Sequence, residues 1–214
     1  MNDRSVINKP IKELNNMMAP RKPEKFAEMR EKSRNHIIVK ATEVFAEHGY
    51  YKTSVAMIAE SAGISKGLIY NYFKSKDELL EHVFMEGFSY FDKILTIDKI
   101  EISAHKKLEI LLNNYTESLK DNLPFWKLYQ SVISQPYVSQ KLAKFKEYYE
   151  SVFGPLLMGI FIELYGTELS EMEVQIEVMI FAAFLDGIAF DYVIMGEAYP
   201  LDAIRQKLLE KYYR

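Results

Sequence analysis

A chain of 214 residues that is 49% apolar is long enough for one large domain or two smaller ones with a real core. With no cysteine, and with His36, His48, His82 and His105 showing no H-x-x-x-H spacing, it excludes disulfide frameworks and thiolate metal sites. No metal and no cofactor are therefore expected. The net charge of −3 hides an asymmetry: residues 1–80 carry 14 Lys+Arg against 10 Asp+Glu, and the remainder 13 against 20. A basic front and an acidic rear suggest two tasks on one chain.

Residues 1–26, with Pro10, Pro20 and Pro23, read as a flexible arm whose Arg21, Lys22 and Lys25 could reach DNA phosphate. From there the apolar spacing is helical nearly throughout. A first helix over about 27–48 places Ile37, Ile38, Ala41, Val44 and Phe45 on one face, and Gly49 stops it. Thr53 or Ser54 can cap a second, in which Val55, Ile58, Ala59 and Ala62 follow at i, i+3, i+4, i+7. Gly63 ends it, Ile64 turns inward, and Ser65 caps a third short helix ending near Phe73.

Ser75-Lys76-Asp77-Glu78 is an S-x-x-E capping box opening a fourth helix over about 76–97, which carries Leu79, Leu80, Val83, Phe84, Phe88 and Phe91. Further helices are expected at about 103–121, 124–134, 138–164 with a kink at Gly154-Pro155, 170–196 and 200–213. No repeat of 20–50 residues is present. No uninterrupted apolar run reaches the roughly 18–20 residues that span a bilayer, and the amino terminus lacks a signal-peptide apolar segment. A soluble cytoplasmic protein without membrane contact is the expectation.

Two short helices joined by a Gly-containing turn, over 54–73, form a helix-turn-helix pattern, which places its second helix in the DNA major groove. On that helix Ile69 and Phe73 face the core, while Lys66, Tyr70 and Lys74 lie opposite, with Gly67 and Asn71 beside them. Lys66 can reach guanine or phosphate, and Leu68 can meet a thymine methyl. Asn71 matches adenine N6/N7 or a phosphate, and Tyr70 and Tyr72 offer hydroxyls to phosphate. Lys76, a cation in a helix first turn, is unfavourable for the dipole unless a phosphate sits there.

Residues 34–80 resemble the amino-terminal domain of the TetR family of transcription regulators. The likeness rests on the stretch from Gly63-Ile64-Ser65-Lys66-Gly67-Leu68 through Ile69-Tyr70-Asn71-Tyr72-Phe73-Lys74 to Ser75-Lys76-Asp77-Glu78-Leu79-Leu80. It rests also on Ala41, Phe45, Gly49, Tyr50, Thr53, Ser54, Ile58, Ala59 and Ala62. The resemblance implies that Thr53 caps the second helix and approaches a phosphate. It implies that Lys66, Gly67, Leu68, Tyr70, Asn71 and Tyr72 face DNA, and that Lys76 holds the DNA backbone. Asn71 departs from the histidine or bulky aromatic often found there, which leaves base preference open. Such proteins bind palindromic operators as two-fold dimers, usually repress, and are released by a small ligand.

The implied architecture is all-α, of about nine helices. A three-helix helix-turn-helix domain over 27–76 precedes a helical bundle over 77–214 for ligand binding and dimerisation. The 170–196 helix is apolar nearly all round, so it is expected to bury one side inside the chain and another against a second copy. Phe184, Gly187, Ile188, Ile204 and Leu208 are the expected interface residues. Trp126, Tyr129, Tyr149, Phe153 and Asp191 are the expected ligand contacts, whereas Asp186-Gly187 resembles a structural Asp-Gly pair of the family. Aromatics with few charges favour a hydrophobic or flat effector. No nucleotide loop, G-x-S-x-G or metal cluster appears, so an enzyme is not expected. The alternative is a DNA-binding dimer without effector, whose bundle only dimerises or recruits protein.

Overall fold

A computed structural model describes residues 23–89 and 102–212, and among these there is no strand. Arg21, Lys22 and most of the expected arm lie outside the described residues, as do Phe91 and the expected end of the fourth helix. The chain divides at His36/Ile37 into two compact units. The first is the leading part of helix α1 (Pro23–His48), an exposed stretch laced by Glu28–Lys32 and Glu31–Arg34 pairs.

The second unit opens with the rest of α1, whose Ile37, Ile38, Ala41, Val44 and Phe45 are buried, as the period requires. Helix α2 (Val55–Ser61) is capped by Ser54, whose Oγ accepts from the Met57 amide at 3.2 Å. Helix α3 (Lys66–Tyr70) is capped by Ser65 through the Leu68 amide at 3.2 Å. Between them Gly63 takes φ +65°, a left-handed value that residues with a Cβ rarely adopt, so glycine sets the angle of the turn. Helix α4 (Lys76–Gly87) is capped by Ser75 through the Glu78 amide, and the Glu78 carboxylate reaches back to the Lys74 amide.

The bundle comprises α5 (Ala104–Asp121), α6 (Leu123–Ile133), α7 (Pro136–Ser139), α8 (Ala143–Tyr148), α9 (Gly154–Tyr165), α10 (Glu171–Met195) and α11 (Leu201–Tyr212). Helix α5 packs against α6, α9 and α11, and α10 packs against α6 and α9. A two-way capping box between Ser170 and Glu173 opens α10. The continuous helix expected over 138–164 is broken instead into α7, α8, a π-helical turn (Tyr149–Phe153) and α9. Pro155 has no N–H, and its ring would clash with the carbonyl four residues back. The widened turn is the outcome: the Gly154 amide bonds back five residues, to the Tyr149 carbonyl.

The stretch Glu171–Ala198 has a mean hydropathy of 1.9 over its most apolar window, long and apolar enough to cross a membrane by length and composition. Asp186 and Asp191 divide the stretch, so no uninterrupted apolar run spans it, while their apolar neighbours keep the average high.

Rings fill the space where α4 meets the bundle. Phe84 and Phe88 lie 4.6–6.2 Å, centroid to centroid, from Phe125, Tyr129 and Phe145. Gly87 sits against this cluster, and a Cβ there would come within 2.2–2.5 Å of the Phe125 ring.

Candidate functional site

The helix-turn-helix is held from inside. Ile58, Ala59, Ile69 and Phe73 are buried, Ile64 packs against them half-buried, and His82 meets the Phe73 ring edge-on at 5.3 Å. The opposite side of α3 is open. Lys66, Gly67, Tyr70 and Asn71 are exposed, and Leu68 and Tyr72 are half-buried. The structure therefore brings six of the expected DNA-facing residues onto one accessible surface, with Ser54 exposed beside them and Lys74 adding a cation.

Two residues expected on that surface have other occupations. Thr53 is buried and does not cap α2; its hydroxyl donates to the Gly49 carbonyl at 2.8 Å, tying down the end of α1. Lys76 turns inward too. Its ammonium donates to the carbonyls of Tyr50 (2.8 Å) and Thr53 (2.9 Å) and sits 4.2 Å from the centroid of the Tyr50 ring. Burial first, and then the nearby Lys141, hold its pKa below the usual lysine value. The oddity of a cation at a helix N-terminus is thus resolved by protein carbonyls, and a phosphate is not needed to explain it.

From this corner a polar chain runs into the bundle. The Tyr50 hydroxyl donates to Asp77, which pairs with Lys141 at 2.6 Å. Glu81 accepts from the Lys144 backbone amide at 2.7 Å. Helix α8 is therefore bonded to α4. Phe145, which also packs against Phe84 of α4, and Lys146, followed by Tyr149 and Phe153 of the π-turn, border a cavity of about 420 Å³.

Half of the residues in the cavity wall are aromatic. Trp126, Tyr129, Tyr149 and Phe153, all expected there, do line it. Phe88, Tyr115, Phe145 and Asp186 join them without having been expected. Trp126 donates its indole N–H to the buried Ser118 hydroxyl at 3.1 Å, and Tyr115 donates to the Leu185 carbonyl. Asp186 accepts from the Tyr129 hydroxyl at 3.2 Å. Desolvation raises the carboxyl pKa of Asp186 against the opposing effect of that hydrogen bond. Burial, with Asp186 nearby, also pushes the Tyr115, Tyr129 and Tyr149 hydroxyls up.

Asp191 does not line the cavity. It is exposed and bonds toward Tyr199. Five residues are about 140° around a helix, so two aspartates this far apart cannot share a face. Asp186, first read as structural, takes the place expected of Asp191. The signal was present in the sequence as an acid within an otherwise apolar helix, but its direction was not.

The outer face of α10 carries a second feature. Met172, Ile176, Met179, Ala183, Gly187, Phe190 and Ile194 recur every three or four residues and are all exposed. Phe184 is exposed to one side of this stripe, with the Lys211 ammonium 4.8 Å from its ring centroid. Ile188 and Leu208 point into the chain's own core, each 7% exposed, which corrects their expected place at an interface; Ile204 is half-buried.

Residues 37–83 match the family described as bacterial regulatory proteins, tetR family. Over 182 residues the chain is 30% identical to the fatty acid metabolism regulator protein of Bacillus subtilis (strain 168), covering 81% of this chain and 90% of that protein. The chain belongs to the TetR family. It is a ligand-responsive transcription regulator with a DNA-binding helix-turn-helix. The crystal structure of the regulator FadR from Bacillus subtilis in complex with stearoyl-CoA superposes with a TM-score of 0.70 at 25% identity, covering 83% of this chain and 96% of that one. FadR from Bacillus halodurans shares the fold with a TM-score of 0.72 at 24% identity, over 84% and 94% of the two chains. The HTH-type regulator HbdR of Aromatoleum sp. (strain CIB) is 50% identical over 50 residues, 23% of this chain and 22% of that one.

Proposed function

We propose that this regulator binds a palindromic operator as a homodimer, represses from it, and is released when an effector with an apolar body enters the aromatic cavity. The amino-terminal part to residue 76 serves DNA, and the part from 77 onward serves the effector and the second copy. Such work belongs in the bacterial cytoplasm, and no catalytic role is assigned. The observation that carries the reading is the position of α8 and its π-turn. The α8 segment is bonded through Lys144, and through Lys141 just before it, to α4, which follows the recognition helix directly, and its Phe145, together with Tyr149 and Phe153 of the π-turn, walls the cavity. A ligand that displaces Phe145 or Tyr149 must then move what holds α4.

Lys66, Gly67, Leu68, Tyr70, Asn71 and Tyr72 are the DNA-facing residues of this reading, with Ser54 beside them. Trp126, Tyr129, Tyr149, Phe153 and Asp186 are its effector contacts. The exposed stripe on α10 is the dimer surface. Its seven positions keep the three-and-four spacing of paired helices, and Gly187 lets two backbones approach closely. A volume of about 420 Å³ is within the range of sites that take drug-sized molecules. The Bacillus subtilis relative in complex with stearoyl-CoA supports an effector with an apolar body.

The test couples two readouts. Apolar compounds that raise the melting temperature are added to a protein–operator complex followed by fluorescence anisotropy. Compounds that stabilise the protein should release the duplex. If stabilising compounds leave operator affinity unchanged, the bundle serves dimerisation alone.

A further inference from the structure

The cavity wall carries one carboxylate and one ammonium. Among the residues that line it, Asp186 and Lys146 are the two that carry charge. Lys146 belongs to the rim: its side chain is 73% exposed and lies 3.6 Å from Glu150, which is exposed as well. Asp186, itself exposed on α10, borders the rings, with Tyr129 donating to its Oδ1. An anion entering the cavity would meet this carboxylate, while the cation of the lining, Lys146, is directed to Glu150. Trp126, Tyr129 and Tyr149 present the two ring types whose faces attract cations best.

We propose that the effector carries a positive charge: an organic cation with an apolar body, whose head lies among Trp126, Tyr129 and Tyr149 with Asp186 as its counter-charge. This rests on the reading of the aromatic cavity as the effector site. A quaternary or tertiary ammonium fits the wall better than a strongly hydrated primary amine, because the rings offer polarisable surface and few acceptors. The cation also explains the carboxylate. An acid in aromatic surroundings disfavours its own ionised form, and the shift at Asp186 has that direction, with burial as its largest cause. A bound cation supplies the compensation that the wall lacks. Tyr129, already donating to Oδ1, holds the carboxylate in position for it.

The experiment uses the full chain and three ligands of equal length that differ in head charge: decyltrimethylammonium, decanol and decanoate, each below its micellar concentration, by isothermal titration calorimetry. Stearoyl-CoA is a fourth, anionic arm. The cation should bind at least tenfold more tightly than decanol, with decanoate weakest. Asp186→Asn should bring the cation down to the level of decanol. Tyr149→Leu, at a ring already partly open to solvent, should cost the cation about two- to fivefold and decanol much less. The ligand series on the unsubstituted chain decides the matter even where a variant fails to fold. Equal binding of cation and decanol, tightest binding of decanoate or stearoyl-CoA, or a cation preference that survives Asp186→Asn would each overturn the proposal. If decanol binds and the cation binds no better, only the charge assignment fails. If none of the four binds, the effector-site reading fails with it.

Discussion

Replacing Gly87 by alanine tests how tightly the DNA-binding end is joined to the bundle. A Cβ at Gly87 would lie 2.2, 2.3 and 2.5 Å from three atoms of the Phe125 ring, where ordinary contact begins near 3.4 Å. The ring must therefore retreat by about 1 Å. It has little room: Phe125 is 1% exposed and stands edge-on to Phe84, Phe88 and Trp126 at 5.4–5.7 Å. Overpacking of this kind costs roughly 1–3 kcal/mol, and an overlap this deep belongs at the upper end. Alanine is a better helix former than glycine by about 0.8–1.0 kcal/mol, which offsets part of the loss. The net is a destabilisation of about 2 kcal/mol, or a drop in Tm of roughly 4–8 °C for a chain of this size.

Differential scanning calorimetry at fixed protein concentration measures it. Gly159→Ala, where an added Cβ meets nothing within 4 Å, should be neutral or slightly stabilising in the same assay. Adding Phe125→Leu to Gly87→Ala should cost less than the two single changes summed, because the smaller side chain relieves the overlap. An unchanged or raised Tm for Gly87→Ala would refute the packing argument.

The other predictions concern the surfaces. Tyr70→Ala should weaken operator binding about tenfold in a gel-shift titration and leave Tm within roughly 1 °C, since Tyr70 is 47% exposed. Lys76→Ala should lower Tm itself, because it strips the donor from the carbonyls of Tyr50 and Thr53; an unchanged Tm contradicts the inward role. Met179→Glu, in the middle of the α10 stripe, should convert a dimer into a monomer in sedimentation velocity; a persisting dimer would exclude that face. Asp186 titrates with a raised pKa in the fold, so below the unfolded-state value both states hold the proton and no penalty exists. As pH rises through the window above that value, the unfolded chain releases its proton first and stability falls. The neighbouring Tyr115, Tyr129 and Tyr149 stay neutral there. Urea midpoints against pH should show this loss in the native chain and not in Asp186→Asn.

What the sequence revealed, and what it hid, follows from the range of the forces involved. The inward face of the helix-turn-helix was legible because its determinants are local. Ile58, Ala59, Ile69 and Phe73 obey one period, and Ser54, Ser65 and Ser75 each cap the helix that follows. Cation placement was not legible. Lys76 is satisfied by carbonyls more than twenty residues away, a partnership that no local pattern shows. The break between Ser139 and Ala143 carries no Gly or Pro, and so the helix expected over 138–164 ran through it. On α10 the apolar residues surround the axis, so the period that separates core from surface elsewhere is silent. Only tertiary packing decides that Ile188 faces in, Gly187 out and Asp186 toward the cavity.

The central claim is that α3 reads duplex DNA from a dimer. The direct measurement selects a duplex from a random library with the full chain, then follows its binding by fluorescence anisotropy across a salt series. The account predicts a palindrome with half-sites one helical turn, about 34–36 Å, or a multiple of it apart, occupied by two protomers. It also predicts that log K falls linearly with log salt concentration by about 0.9 for each phosphate contacted. A selection that enriches no duplex, or an affinity indifferent to salt, would contradict it.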